Sequence, residues 1–263
     1  MKYAKNYNVI LDNMDLIRYR LRPIAAITYI QDAFARYMAT RKLAAYDLFS
    51  KNMYWVVGEF NMEFMDELPF WSEEIRAEIW ISELSKLKIY TDFEISYKNK
   101  PFTKGNACWF IIDGNSKRPV KTDEFHNQLI VQEDLVLGNH KKFNLPDVKE
   151  KINEIEHKTN LSDLDFNNHV NNKSYINLAE LTATEDFKRN HILERLDIRF
   201  IRETFLGDVL NCVTYSTEEN NVFAHKITKD DVSVCEILTK WKEHKDTTDI
   251  VKYPLEIKKE ITL

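Results

Sequence analysis

A chain of 263 residues, 44% hydrophobic and 30% charged, can bury one large core or two small ones and is too apolar to be a disordered segment. Its 37 basic and 42 acidic residues leave a formal net charge of −5, which makes no electrostatic case for nucleic acid or an anionic membrane. Only five glycines occur, and no two lie close enough for a dinucleotide-binding turn, a phosphate loop or a serine nucleophile elbow. The basic runs Arg18-Tyr19-Arg20-Leu21-Arg22 and Arg41-Lys42 read as solvated faces, with an acidic partner as the lesser alternative. Three cysteines, Cys108, Cys212 and Cys235, contain no Cys-x-x-Cys pair, so neither a disulfide framework nor a metal site is expected. The first residues lack the apolar core of a signal peptide, and no run of about 18 apolar residues is present. These features predict a cytoplasmic protein without stable membrane insertion.

Taken in chain order, Pro23 opens a helix that extends to about Lys42, with Ile24, Ile27, Ile30, Phe34 and Met38 at near-helical spacing. Strands are predicted over 53–65, at the strict alternation Ile75, Ala77, Ile79 and Ile81, and over 88–98 and 102–112. The segment 113–146 is polar, carries Gly114, Pro119, Gly138 and Pro146, and reads as a linker with one helical or extended piece near 125–137. The second half repeats the order. A strand near 152–158 precedes an Asn-rich loop and a helix over about 170–188. Strands follow near 196–203, 208–217, 221–228 and 233–243. A long helix lying on a curved antiparallel sheet is the simplest packing for each half, giving an α+β protein with about ten strands and two central helices. Domains are expected over residues 1–145 and 146–263.

The chemistry-bearing stretch runs from Ser162 to Tyr175 and concentrates polar side chains at the start of the second helix. Its plain reading is a helix terminus rich in capping residues. A calcium loop matches at Asp163, Asp165 and Asn167, but it fails at its sixth position, Asn168, and at its twelfth, Ser174.

The same residues resemble the signature of the plant and bacterial acyl-acyl carrier protein thioesterases, Asp-x-Asn-x-His-Val-Asn-Asn-x-x-Tyr after Ser-Asp-Leu. Asp165, Asn167, His169, Val170, Asn171, Asn172 and Tyr175 all match, behind Ser162-Asp163-Leu164. A second family element, Arg-Glu closing the next strand, is Arg202-Glu203, and weaker echoes are Trp55-Val56-Val57 and Pro69-Phe70-Trp71. The resemblance implies a tandem pair of hotdog domains. It also implies hydrolysis of fatty acyl-acyl carrier protein, with release of free fatty acid and an end to chain elongation. Acyl carrier protein would be the partner, no cofactor would be needed, and self-association into a homodimer is left open. The alternatives are an acyl-coenzyme A thioesterase of the same fold and a non-catalytic acyl-binding protein. Where many relatives place cysteine directly after the glutamate, this chain has Thr204.

Hydrolysis needs an activated water and donors for the developing oxyanion. Glu203 is the candidate general base, in an apolar cleft that would raise its pKa. Asn167 can orient water or the carbonyl. His169 can polarise the carbonyl, share the base role or hold the nucleophile, and Asp165 is expected to anchor the loop. Free backbone amides at Val170 and Asn171 are candidates for the oxyanion hole. The first half lacks the motif. By resemblance it supplies the acyl pocket, with Ile27, Ile30 and Phe34 as candidate lining, although ordinary core is the plainer reading for most of them.

Overall fold

The alternating run Ile75, Ala77, Ile79 and Ile81 is buried throughout, and it lies in a single ten-stranded antiparallel sheet. The computed structural model describes residues 2–244 apart from 16–17, 66–67, 141 and 166. The first half contains β1 (Tyr3–Asn8), the short pair β2 (Met14–Asp15) and β3 (Arg20–Leu21), α1 (Ala26–Thr40) and α2 (Ala45–Phe49). It continues with β4 (Met53–Phe64), β5 (Glu74–Leu84), β6 (Ile89–Tyr97) and β7 (Lys100–Asp113). The second half contains β8 (Lys151–Lys158), α3 (Asn172–Leu181), α4 (Glu185–Asn190), β9 (His191–Phe200), β10 (Val209–Ser216), β11 (Val222–Lys229) and β12 (Val232–Glu243).

The strand order is β1-β5-β6-β7-β4-β9-β12-β11-β10-β8. It is a palindrome in topology, because each half places its first strand at an outer edge and the strand after its long helix at the centre. The halves join where β4 pairs with β9, from Glu59 opposite Arg199 to Glu63 opposite Arg195. They therefore share one sheet. In the first half α1 packs on β1 and β5, while α3 packs on β8, β10 and β12 in the second. Pro23 sits in a 3₁₀ turn, so the α-helix itself starts at Ala26. Ile27, Ile30, Ala33, Phe34, Tyr37 and Met38 form its buried stripe.

Two expectations need correction. The helix predicted over 170–188 is two helices. The Thr182 hydroxyl donates to the Ala179 carbonyl, and Thr184 takes extended backbone to cap α4 through the Phe187 amide. Hydroxyls that bond local backbone groups compete with helix continuation. The strand predicted over 196–203 runs from His191 to Phe200, which leaves Glu203 in the loop beyond it. The N-terminal strand β1 and the helix α2 carry weak periodicity and were not predicted. Residues 245–263 of the expected second domain lie outside the described residues.

The linker holds a 3₁₀ turn at Thr122–Phe125 and then an extended strap along the outer face of the first half. Gln132 N–H donates to the Ile81 carbonyl, the Trp80 indole to the Asp134 carbonyl, and Val136 N–H to Asp92 Oδ1. The strap explains why Trp80, on the outward side of the alternation, is also buried. It ends at His140, whose Nε2 lies 2.8 Å from Asp92 Oδ2 and whose Nδ1 lies 2.9 Å from Glu83 Oε2. Burial alone would lower the pKa of this imidazole, but the two carboxylates outweigh it and hold the value above the usual range. The clamp therefore contributes fully below the ordinary histidine pKa of about 6.5 and fades as pH rises through the raised folded-state value. His140→Gln is expected to cost about 1–3 kcal/mol near pH 6 and less near pH 9. Chemical denaturation of both proteins across that range measures the difference, and a constant or widening gap would contradict the assignment.

Candidate active site

The polar stretch folds into a tight loop because Asp165 organises it. Its Oδ1 accepts from the backbone N–H of Asn167 at 2.8 Å and of His169 at 3.1 Å, while its own N–H donates to the His169 carbonyl. Asn168 completes the turn at φ 62°, a left-handed conformation that asparagine tolerates better than most residues. Asn171 then caps α3, its side chain accepting from Lys173 N–H at 2.9 Å. Asp165 holds the loop through these backbone amides. A carboxylate oxygen committed to two amides is a positioning group rather than a base.

Directly after β9 the chain crosses this loop. The Val170 amide donates to the Thr204 carbonyl at 2.9 Å, and the Thr204 hydroxyl lies 2.7 Å from the Tyr175 hydroxyl. Thr204 is fully buried and Tyr175 nearly so. These contacts bring Glu203 over the histidine, with Glu203 Oε2 3.7 Å from His169 Nε2. Phe205, two residues after Glu203, packs edge-on against the imidazole, with centroids 5.2 Å apart. Asn167, in the same loop, is exposed. Asp165, His169 and Glu203 thus come to one place, with Asn167 held in the same loop through its backbone.

The expected apolar cleft around Glu203 is not what surrounds it. The side chain is 37% exposed and faces an imidazole that is 24% exposed. The oxyanion assignment to the amides of Val170 and Asn171 is also corrected. Val170 N–H is taken by Thr204, and Asn171 N–H donates to the Asp163 carbonyl at 2.7 Å. The side-chain amide of Asn167 remains as an exposed donor at the site. Ile27, Ile30 and Phe34 lie in the first-half core, where the Phe34 ring stacks on Trp109 at 3.7 Å. The motif-based reading left Tyr175 without a role and missed Phe205. Tyr175 was already flagged by its place in the motif, whereas nothing in the sequence marked Phe205.

Among the described residues no group of three or more His, Cys, Asp or Glu is arranged to hold a metal ion. All three cysteines are buried and unpaired, and burial pushes Cys108 and Cys212 up to about 12 and Cys235 well above its ordinary value. A thiol that resists ionisation is a poor nucleophile. The triple change Cys108→Ala, Cys212→Ala, Cys235→Ala should therefore retain most of the turnover. Loss of activity in a variant that keeps its circular dichroism and melting transition would reinstate a cysteine.

Comparison with known proteins places both halves in one family. The model of the acyl-ACP thioesterase N-terminal domain matches residues 1–129, and that of the acyl-ACP thioesterase C-terminal domain matches 147–243. The palmitoyl-acyl carrier protein thioesterase of Arabidopsis thaliana chloroplasts is 25% identical over 187 residues, covering 65% of this chain and 43% of that protein. The chloroplastic oleoyl-acyl carrier protein thioesterase 1 of the same plant is 22% identical over 206 residues, covering 74% and 54%. The match thus spans about half the length of these curated relatives or less. Among solved structures, an acyl-ACP thioesterase from Bacteroides thetaiotaomicron superposes with a TM-score of 0.81 at 18% identity, covering 92% of this chain and 98% of that one. The 12:0-ACP thioesterase from Umbellularia californica gives 0.79 at 16% identity, with the same coverage. At these identities the structural likeness establishes the fold, a tandem hotdog.

Proposed function

The chain belongs to the acyl-ACP thioesterase family, and from that premise we propose that it hydrolyses the thioester of fatty acyl-acyl carrier protein. Free fatty acid would be released and chain elongation ended. The observation that supports this reading best is the opposition of Glu203 and His169 at 3.7 Å, over a loop that carries the exposed Asn167 and is shaped by Asp165.

In the proposed reaction the oxygen of a water between Glu203 and the substrate attacks the thioester carbon. The Glu203 carboxylate takes the proton, an effect of general-base type worth about 10²–10⁴-fold. Asn167 Nδ2–H donates to the carbonyl oxygen as it becomes an oxyanion. The tetrahedral intermediate collapses with cleavage of the C–S bond. Protonated Glu203 returns its proton to the carrier thiolate, and the fatty acid releases its own proton to solvent to leave as the carboxylate. His169 orients Glu203 and the water, and assumes the base role if Glu203 does not hold it. The acyl chain is proposed to enter the first half along α1, past Ile27 and Ile30, which requires the Phe34 ring to leave the face of Trp109. The three free thiols fit a reducing compartment such as the cytoplasm.

A hydrolysis panel with acyl carrier protein and coenzyme A thioesters across chain lengths tests the substrate. The carrier-protein thioester should be the better substrate, and because acyl carrier protein is acidic, kcat/KM should fall as salt rises. Equal efficiency on both carriers without salt dependence would favour the acyl-coenzyme A reading. No hydrolysis of either, with retained acyl binding, would favour the non-catalytic one.

A further inference from the structure

The two halves repeat the site's framework in detail. In the second half a 3₁₀ turn at Leu161–Asp163 leads to a bridge between Leu164 and Val170. Asn171 N–H then returns to the Asp163 carbonyl, and Val170 N–H reaches Thr204. In the first half a 3₁₀ turn at Leu11–Asn13 leads to the pairing of Met14 with Leu21. Arg22 N–H returns to the Asn13 carbonyl at 2.8 Å, and Leu21 N–H reaches the Pro69 carbonyl at 2.8 Å. The correspondence sets Asp15 where the second half has Asp165, Arg20 where it has His169, and Leu68 where it has Glu203. The backbone framework is kept, while arginine and leucine stand at the described positions matched to His169 and Glu203.

This counterpart opens onto a cleft of about 830 Å³, closed on the far side by the last turns of α3 and by residues of β9 and β12. Leu11, Met14, Leu21, Leu68, Leu181 and Trp241 supply an apolar lining. Arg18, Arg20, Arg22 and Lys188 also line it, against Asp12, Asp15 and Glu180. Asp15 is neutralised by Arg18 at 3.1 Å, and burial raises the pKa of the Glu180 carboxyl against the pull of Lys188 and Arg22. Arg18 Nη2 donates to the Lys188 and His191 carbonyls and Arg22 Nη2 to the Asp12 carbonyl, while the Nε–H groups of both are buried without an acceptor. Among the described residues the cleft is an apolar trough with more guanidinium and ammonium groups than carboxylates.

We propose that this cleft is a second, non-catalytic site for a single-chain amphiphile with an anionic head, a free fatty acid. The hydrocarbon chain fits the leucines and Trp241, and the carboxylate meets Arg20, Arg22 and Lys188. That this ligand is also the product of the same protein rests on the hydrolase reading; the chemistry of the cleft does not.

Calorimetric titration of the full chain with dodecanoate, and with dodecylammonium as the opposite charge on the same chain, tests the site. Leu68→Trp fills the trough and Arg20→Glu reverses its charge; neither residue belongs to the catalytic machinery. Each change should weaken dodecanoate binding by about tenfold or more while thioester turnover stays within about twofold. Dodecylammonium should bind more weakly than dodecanoate. Absence of dodecanoate binding, equal binding of the two amphiphiles, or binding that survives both changes and is lost only in Asn167→Ala would overturn the proposal. If the wild type cleaves no thioester yet binds dodecanoate in a manner both changes weaken, the second site stands and the hydrolase reading falls.

Discussion

Replacing Glu203 with Gln should lower kcat by about 10²-fold or more, with KM and the melting temperature close to wild type. The amide keeps the size of the side chain but cannot accept the proton of water at neutral pH. Glu203 is more than a third exposed, and the side chain facing it is that of His169 at 3.7 Å, itself partly exposed, so the change leaves no buried charge unpaired. A fall in kcat without a rise in KM would mark an interaction made in the transition state. Turnover near the wild-type level would transfer the base role to His169, and His169→Gln would then show the larger loss.

Asn167→Ala should be comparably damaging, at about 10²–10³-fold in kcat. The backbone amides nearest the loop are engaged, Val170 with Thr204 and Asn171 with Asp163, so they cannot receive a developing oxyanion without breaking the loop. In the proposed mechanism the exposed side-chain amide of Asn167 is then the donor that stabilises the oxyanion. Its backbone is held independently by Asp165, so truncation at Cβ should leave the loop and the melting temperature intact. Steady-state kinetics beside thermal denaturation separate the two effects. A loss of stability matching the loss of rate would make Asn167 a framework residue.

The half-by-half repeat was legible because strand alternation and helix spacing are local signals, and the run from Ile75 to Ile81 carries one in plain form. The candidate site residues were picked out by the motif and its following glutamate. Their arrangement was not. Whether the amides of Val170 and Asn171 are free depends on Thr204 and on Asp163, and sequence spacing does not show where a returning loop will lay its carbonyls. The division of the second helix at Thr182 turns on hydroxyl–backbone bonds that compete with helix by small margins. The clamp at His140 joins groups from two strands and the strap, 57 and 48 residues apart in sequence. The first-half counterpart of the site was hidden because its framework is made of backbone bonds, which leave little trace in residue identity.

The central claim is that water, placed by Glu203, His169 and Asn167, attacks the thioester directly. A single turnover of fatty acyl-acyl carrier protein in heavy-oxygen water, quenched and weighed by mass spectrometry, tests it most directly. One heavy oxygen should appear in the released fatty acid, with the protein mass unchanged at every time point. An acyl group on the protein, or a heavy oxygen gained by the protein itself, would contradict direct attack and point to a covalent intermediate.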